Sequence, residues 1–160
     1  RVYQQALKLA QKDDYKILAA DILRCQSFLI LKLKNNPKDA EKIAQEALDL
    51  VKNLKNKDAQ KVQASIFELL GNVYAAQGKE NQALKSYQKG LKIAQEIQFP
   101  ERIIAILGDI ANTYLNQNQI DKAQELLEQA LVEAEKSYRH AVPALNIRLA
   151  RLILQQKIMR

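Results

Sequence analysis

Few side chains in this chain of 160 residues can act as a nucleophile, a general base or a metal ligand. It has one cysteine, Cys25, and one histidine, His140, which stand 115 positions apart. The acidic residues are scattered apart from the pair Asp13-Asp14, and no glycine-rich phosphate loop follows a strand-like segment. We therefore predict that the chain is not an enzyme and that it holds neither a metal nor a cofactor.

The lone cysteine excludes an intramolecular disulfide and a cysteine metal cluster. Ile22, Phe28 and Leu29 are apolar neighbours of Cys25, so we interpret Cys25 as a small packed or groove-lining residue. The alternative, a redox role, requires a lowered thiol pKa, and nothing in the sequence points to one. The sequence has no 18-residue apolar run and no signal-like start. We expect a cytoplasmic location without membrane insertion.

Two asparagines occupy the same place in a repeated segment. The residues Leu70-Gly71-Asn72-Val73-Tyr74 return as Ile110-Ala111-Asn112-Thr113-Tyr114, and each matched residue lies 40 positions further on. A fixed period in the range of about 20–50 residues indicates a solenoid built from stacked units.

Within each copy the apolar and small residues recur at helical spacing. This face comprises Phe67, Leu70, Gly71 and Tyr74 in one copy and Leu107, Ile110, Ala111 and Tyr114 in the next. A second amphipathic pattern follows after a short break that contains Gly78 or Asn118, residue types that tolerate a left-handed helix ending. We therefore predict that each unit is a helical hairpin.

The pattern resembles the tetratricopeptide repeat (TPR). The likeness rests on Leu70, Gly71, Tyr74, Ala83, Tyr87 and Leu91, and on Ile110, Ala111, Tyr114, Ala123, Leu127, Ala130 and Leu131. The period of 40 exceeds the usual 34 and is similar to the extended repeats of kinesin light chains, Pins-type spindle adaptors and many bacterial regulatory proteins. The resemblance implies an all-α, right-handed solenoid of antiparallel helix hairpins with seven to eight helices.

We predict one solenoid over residues 1–160. Its predicted parts are a second helix of a truncated repeat (1–12), a degenerate repeat (13–54), two clear repeats (56–98 and 100–138) and a terminal or capping helix (139–160). Residues 3–11 nearly duplicate residues 87–95, and the chain begins with Arg instead of Met. We therefore expect a fragment of a longer protein, in which the incomplete first repeat can pair two molecules.

The formal net charge of +7 is unevenly distributed. Residues 1–62 carry 13 basic and 8 acidic side chains, residues 63–138 carry 7 and 10, and residues 139–160 carry 5 and none. The basic C-terminal segment suits contact with nucleic acid or an acidic peptide, and the alternative is a solvated helix face. The aromatic residues mostly occupy repeat-core positions, which argues against an aromatic platform for stacking bases.

The resemblance implies a concave groove lined by the first helix of each hairpin. In register, the groove positions are Ile22, Cys25, Leu29 and Lys32; Ser65, Glu68, Asn72 and Ala75; Ala105, Gly108, Asn112 and Leu115, with Asp109 beside them; and, by extrapolation, Leu145, Arg148 and Leu152. Their mixture of apolar, acidic and basic side chains suits a short amphipathic segment of a partner.

A carboxamide both donates and accepts hydrogen bonds, so Asn72 and Asn112 can pair with a peptide backbone. TPR proteins that bind extended peptides often place Asn at this position; the alternative is that these side chains cap or bridge helices. We expect that replacing both by Ala weakens partner binding and leaves melting largely unchanged. One turn before each Asn stands Glu68 or Gly108, whereas TPR proteins that grip chaperone C-termini place a Lys there, so the carboxylate clamp is not matched.

These observations predict a scaffold or regulatory module that binds a protein or peptide partner. Two alternatives remain open: a nucleic-acid-binding helical repeat that uses the basic ends, and the sensor or oligomerisation arm of a multidomain enzyme.

Overall fold

The computed structural model describes residues 15–159, and side-chain burial up to residue 158. The described residues form seven α-helices and no strand. These are α1 (Lys16–Lys34), α2 (Pro37–Val51), α3 (Lys57–Ala76), α4 (Glu80–Glu96), α5 (Pro100–Asn116), α6 (Ile120–Ser137) and α7 (Val142–Met159), the last preceded by a 3-10 turn (Arg139–Ala141). The all-α prediction is confirmed. The helix predicted over residues 1–12 lies outside the described residues.

The helices pack into two compact units, Arg1–Ile97 and Gln98–Arg160. The described part of the first unit holds the hairpins α1/α2 and α3/α4, and α3 contacts both helices of the preceding hairpin. The second unit holds the hairpin α5/α6, with α7 packed against α6. Both units fit the predicted solenoid of helix hairpins, whereas a single continuous solenoid with the predicted repeat boundaries stays a prediction.

The three hairpins turn through the same left-handed backbone conformation. Gly78 has a φ of 72° and Asn118 a φ of 58°, which confirms the helix endings predicted at these positions. Asn35 has a φ of 48° at the end of α1, 43 residues before Gly78. Pro37 and Pro100 are the first residues of α2 and α5, where a proline loses no helical hydrogen bond. Each hairpin therefore passes from its first to its second helix through the same kind of turn.

The helices α3 and α4 approach most closely at Gly71. A Cβ atom at this position would lie 2.8 Å from Cζ of Tyr87 and would overlap two further atoms of the same ring. Tyr87 is only 2% exposed, and its hydroxyl donates a hydrogen bond to Oδ1 of Asn72 at 2.7 Å. The missing side chain of Gly71 therefore allows the phenol ring to lie on the backbone of α3.

The hairpin α5/α6 divides the volume at this crossing differently. In register, α5 and α6 carry Ala111 and Leu127, and both are buried. The hairpin α1/α2 does not share this arrangement: its residue in register with Gly71 is Phe28, which is 43% exposed, and the buried Ser27 beside it donates a hydrogen bond to the carbonyl oxygen of Ala40 at 2.6 Å. Because protein interiors are close-packed, the size at one position constrains the size at the other.

Polar side chains join the two hairpins of the first unit. Nε2 of Gln63 donates to the carbonyl oxygens of Val51 (2.5 Å) and Leu54 (2.9 Å). Val51 is the last residue of α2, and Leu54 lies three residues beyond it. Nε2 of Gln77 donates to Oε2 of Glu41 at 2.7 Å.

Glu41 also affects the titration of Tyr74. Burial raises the pKa of Tyr74 above its ordinary value of 10.0, and the charge and hydrogen bond of Glu41 raise it further.

Gly71→Ala should lower the free energy of unfolding. Overlap of the new methyl group with the Tyr87 ring costs about 1–3 kcal/mol, which exceeds the helix propensity of roughly 1 kcal/mol gained from Ala. In a Tyr87→Leu background the same substitution should be neutral or stabilising, since α5 and α6 already carry this Ala and Leu pair. Urea unfolding followed by far-UV circular dichroism measures both effects, and equal effects in the two backgrounds would contradict the steric explanation.

Tyr74 should titrate at a higher pH than an exposed tyrosine. Since its pKa is raised in the folded state, this group contributes stability below pH 10 that is lost as the pH rises through the folded-state pKa. Glu41→Gln should lower the pKa of Tyr74 only in part, because burial is the larger cause. The difference in tyrosinate absorbance between the wild type and Tyr74→Phe isolates this group, and an identical curve for Glu41→Gln would exclude the role of the carboxylate.

Candidate functional site

The predicted groove positions on α3 differ in exposure. Ser65 is buried, and its hydroxyl donates to the carbonyl oxygen of Lys61 at 2.9 Å, one turn earlier in the same helix. Glu68, Asn72 and Ala75 are half-buried. Ser65 therefore uses its polar group within α3, and Glu68 and Asn72 are the polar side chains that remain partly accessible on this face.

The carboxamide oxygen of Asn72 already accepts a hydrogen bond within the protein. Its Oδ1 accepts the hydroxyl hydrogen of Tyr87 from α4 at 2.7 Å, which is the helix-bridging role considered as the alternative for this residue. Nδ2 of Asn72 makes no hydrogen bond to the residues that the structure describes. Toward a partner, Asn72 can therefore act as a donor, while its oxygen stabilises the hairpin.

Asn112 has the same register position but different surroundings. It is exposed on α5, and the residue that corresponds to Tyr87 is Leu127, which has no group to donate. Among residues 15–159 its carboxamide has no hydrogen-bond partner. Both the oxygen and the nitrogen of Asn112 are thus available, as pairing with a peptide bond requires.

A cation lies one helical turn from Asn112. A Cβ atom on Gly108 would lie 2.7 Å from Nη1 of Arg148, so the guanidinium group of α7 rests on the backbone of α5 at this glycine. Gly108 and Asn112 are four residues apart, and the Cβ positions of such residues are neighbours on the helix surface, about 5–6 Å apart. Arg148 is exposed, and the structure therefore brings a donor-rich cation beside a free carboxamide within the second unit.

The remaining predicted positions of α5 border this pair. Ala105, Asp109 and Leu115 are half-buried, and the backbone oxygen of Asp109 accepts a hydrogen bond from Oγ1 of Thr113 at 3.0 Å. Leu115 supplies a partly exposed apolar surface on the C-terminal side of Asn112.

Leu145 and Leu152 do not face solvent as predicted. They are 3% and 4% exposed and, with Leu149, form the face of α7 that is buried in the second unit. The reason is that the 3-10 turn before α7 shifts the register: α7 begins at Val142, 42 residues after the start of α5 at Pro100 instead of 40. The three leucines therefore correspond to the buried residues Ile103, Leu107 and Ile110 of α5. Arg148 remains exposed because it lies off this buried face.

On α1, Cys25, Leu29 and Lys32 are exposed on one side of the helix. Nη2 of Arg24 donates to Sγ of Cys25 at 3.2 Å. Leu18 and Leu33 are also exposed, 57% and 79%, and lie on the same side of α1 beyond the predicted positions. They were not predicted from the sequence, although each lies four residues, about one helical turn, from one of the predicted positions Ile22 and Leu29.

The cysteine and the histidine lie in different units, Cys25 in the first and His140 in the second. The imidazole ring of His140 contacts the ring of Tyr138 edge to face, with 6.0 Å between the ring centroids. Across residues 15–159 no group of three or more His, Cys, Asp or Glu side chains has an arrangement that could hold a metal ion. No described helix is both long and apolar enough to cross a membrane.

Comparisons with known proteins agree with the hairpin architecture. The family model of the tetratricopeptide repeat matches residues 62–131, which confirms the predicted resemblance; the extended-repeat subclass stays a prediction. The crystal structure of BtubC (BKLC) from P. vanneervenii aligns with a TM-score of 0.80 at 20% sequence identity, over 96% of this chain and 62% of that chain. At this identity the likeness shows the fold alone, and the chain spans 62% of the length of BtubC. A comparison with curated proteins finds no match.

The two asparagines should differ in their effect on stability. Asn72→Ala and Asn112→Ala gain the same helix propensity, but only Asn72→Ala removes the acceptor of the Tyr87 hydrogen bond. The unfolding free energy of Asn72→Ala should therefore lie about 1 kcal/mol below that of Asn112→Ala. This revises the expectation that the double substitution leaves melting unchanged. Thermal melts of the two single variants test the difference, and coincident melting curves would show that the bond contributes nothing.

Proposed function

We propose that this chain, in which residues 62–131 belong to the tetratricopeptide repeat family, binds a protein or peptide partner along the exposed faces of its first helices. Tetratricopeptide repeats generally mediate protein–protein interactions and are typically non-catalytic. The observation that carries the proposal is the exposed carboxamide of Asn112, one turn from the guanidinium group that rests on Gly108.

A peptide segment is the ligand that fits these groups best. Asn112 offers a donor and an acceptor to a peptide bond without reading the side chain, and the amide nitrogen of Asn72 offers a donor. Each unit has its own apolar anchor, Leu29 on α1 in the first unit and Leu115 on α5 in the second. Such a combination binds a short amphipathic segment, either extended or helical.

Charge narrows the class of partner. Glu68 precedes Asn72 by one turn and disfavours an acidic group near α3. The guanidinium group of Arg148 rests on Gly108, one turn before Asn112 on α5, and favours an acidic group of the partner at that place. The first unit thus favours a neutral or basic partner group beside α3, and the second unit favours an acidic partner group beside α5.

The biological role that follows is that of a scaffold or regulatory module, which holds a partner and performs no chemistry on it. Affinity would depend on how much conformational freedom the partner segment loses on binding, since association costs the rotamer freedom of every side chain that becomes fixed.

Affinity selection from a random peptide library displayed on phage, followed by fluorescence anisotropy with the selected peptide, tests this function. Asn112→Ala should weaken binding about five- to tenfold, the equivalent of one hydrogen bond. Asn72→Ala should weaken it less, because only the amide nitrogen is available there.

Asn81→Ala is the matched control, since Asn81 is exposed on α4 and lies outside the predicted groove positions. It should leave the affinity unchanged. Selected peptides that bind Asn112→Ala and Asn81→Ala as tightly as the wild type would exclude the assigned face.

A further inference from the structure

The helix α7 presents a face that no described element covers. Its buried side consists of Leu145, Leu149 and Leu152. On the opposite side Ile147, Arg151, Leu154 and Ile158 follow one another at i, i+4, i+7 and i+11, a spacing that aligns side chains along a helix. Ile147 is 55%, Leu154 60% and Ile158 84% exposed. We call these four residues the basic stripe.

The charge around the basic stripe has no counterpart on its own helix. Residues 139–160 contain five basic and no acidic side chains. Arg148 flanks the stripe and Arg151 lies within it, and neither forms an ion pair with a described residue. A surface that combines several exposed isoleucine and leucine side chains with unpaired cations fits a partner that offers both apolar contact and negative charge.

The outer side of α6 has the complementary composition. Asp121, Glu125, Glu128, Val132 and Glu135 stand at i, i+4, i+7, i+11 and i+14, opposite the buried face of α6. We call these five residues the acidic stripe. Val132 is 65% exposed, and with Glu125 and Glu128 it lines a shallow depression on the surface.

The repeat fold does not require this acidic composition. The residues in register on α4 are Asn81, Lys85, Gln88, Lys92 and Gln95. Those on α2 are Lys38, Lys42, Gln45 and Asp49, followed by Lys52 directly after the helix. All of them are exposed. Both sets have a net positive charge from lysines, and among the three second helices that the structure describes only α6 carries an acidic outer stripe with an exposed valine.

We propose that the basic stripe of one molecule docks on the acidic stripe of a second copy of this chain. The apolar residues Ile147 and Leu154 would cover Val132, and Arg151 would pair with Glu125 or Glu128. Since each copy carries both stripes, the contact is heterologous, which allows head-to-tail association. Opposite charges orient the two helices, and burial of the exposed apolar side chains supplies the affinity.

Sedimentation equilibrium of the full chain over a range of concentrations tests the proposal. The weight-average mass should rise with concentration, and the association constant should fall with added salt because ions screen the charge pairs. Glu125→Lys installs the residue that α4 carries at the same place, so the fold should tolerate it. It should reduce the association constant about tenfold, as expected for a like charge placed opposite Arg151.

Matched variants separate this contact from a general effect of charge. Glu46→Lys on α2 changes the net charge as Glu125→Lys does, and Lys92→Glu on α4 changes it as Arg151→Glu does. Both controls should associate like the wild type, whereas Arg151→Glu should be weakened. An equimolar mixture of Glu125→Lys and Arg151→Glu should regain association, because the exchanged charges again attract.

A wild-type chain that stays monomeric at low salt would overturn the proposal. It would also be overturned if the controls and the stripe variants associated equally, or if the mixture failed to regain association. Binding of poly-glutamate by a monomeric chain, lost in Arg151→Glu, would assign the basic stripe to an acidic partner instead of a second copy.

Discussion

The close approach of two helices within a hairpin is the contact on which the rest of the molecule depends. At Gly71 the approach leaves no room for a Cβ atom, because the ring of Tyr87 fills that space. The hydroxyl of the same ring bonds to Asn72, so one crossing fixes the packing and the orientation of a neighbouring polar side chain. In the hairpin α5/α6 the volume is divided between Ala111 and Leu127. Since leucine has no hydroxyl, Asn112 is left available for a partner.

The outer faces of the second helices are not subject to this constraint. They contact solvent, so their residues can change without a change in core volume. At the positions in register, lysines give the outer faces of α2 and α4 a net positive charge, whereas α6 exposes Glu125, Glu128 and Val132. The repeat therefore keeps its hairpin core while the outer surface changes from basic to acidic along the chain. This separation allows one fold to carry the proposed peptide-binding face on its first helices and a different surface on its second helices.

Much of the candidate site could be predicted from the sequence, and the exceptions have physical causes. The 40-residue period placed Asn72 and Asn112 at equivalent positions, and the left-handed endings at Gly78 and Asn118 were predicted correctly because few residue types adopt that conformation. The prediction was wrong for Leu145 and Leu152, because the 3-10 turn before α7 shifts the register by two residues. A periodicity argument assumes a constant loop length and cannot detect such an insertion when the inserted residues have no strong helix-breaking signal.

By itself, the sequence determined the all-α class, the hairpin unit, the positions of the turns and the matched pair of asparagines, because each of these follows from local residue types and their spacing. Only the tertiary structure decided that the oxygen of Asn72 belongs to Tyr87 while Asn112 stays exposed, and that Arg148 rests on Gly108. These contacts join residues that lie far apart in the chain, 15 positions for Asn72 and Tyr87 and 40 positions for Gly108 and Arg148. Which atoms meet over such separations depends on how closely the helices pack, and the spacing of residues along the sequence does not contain that distance.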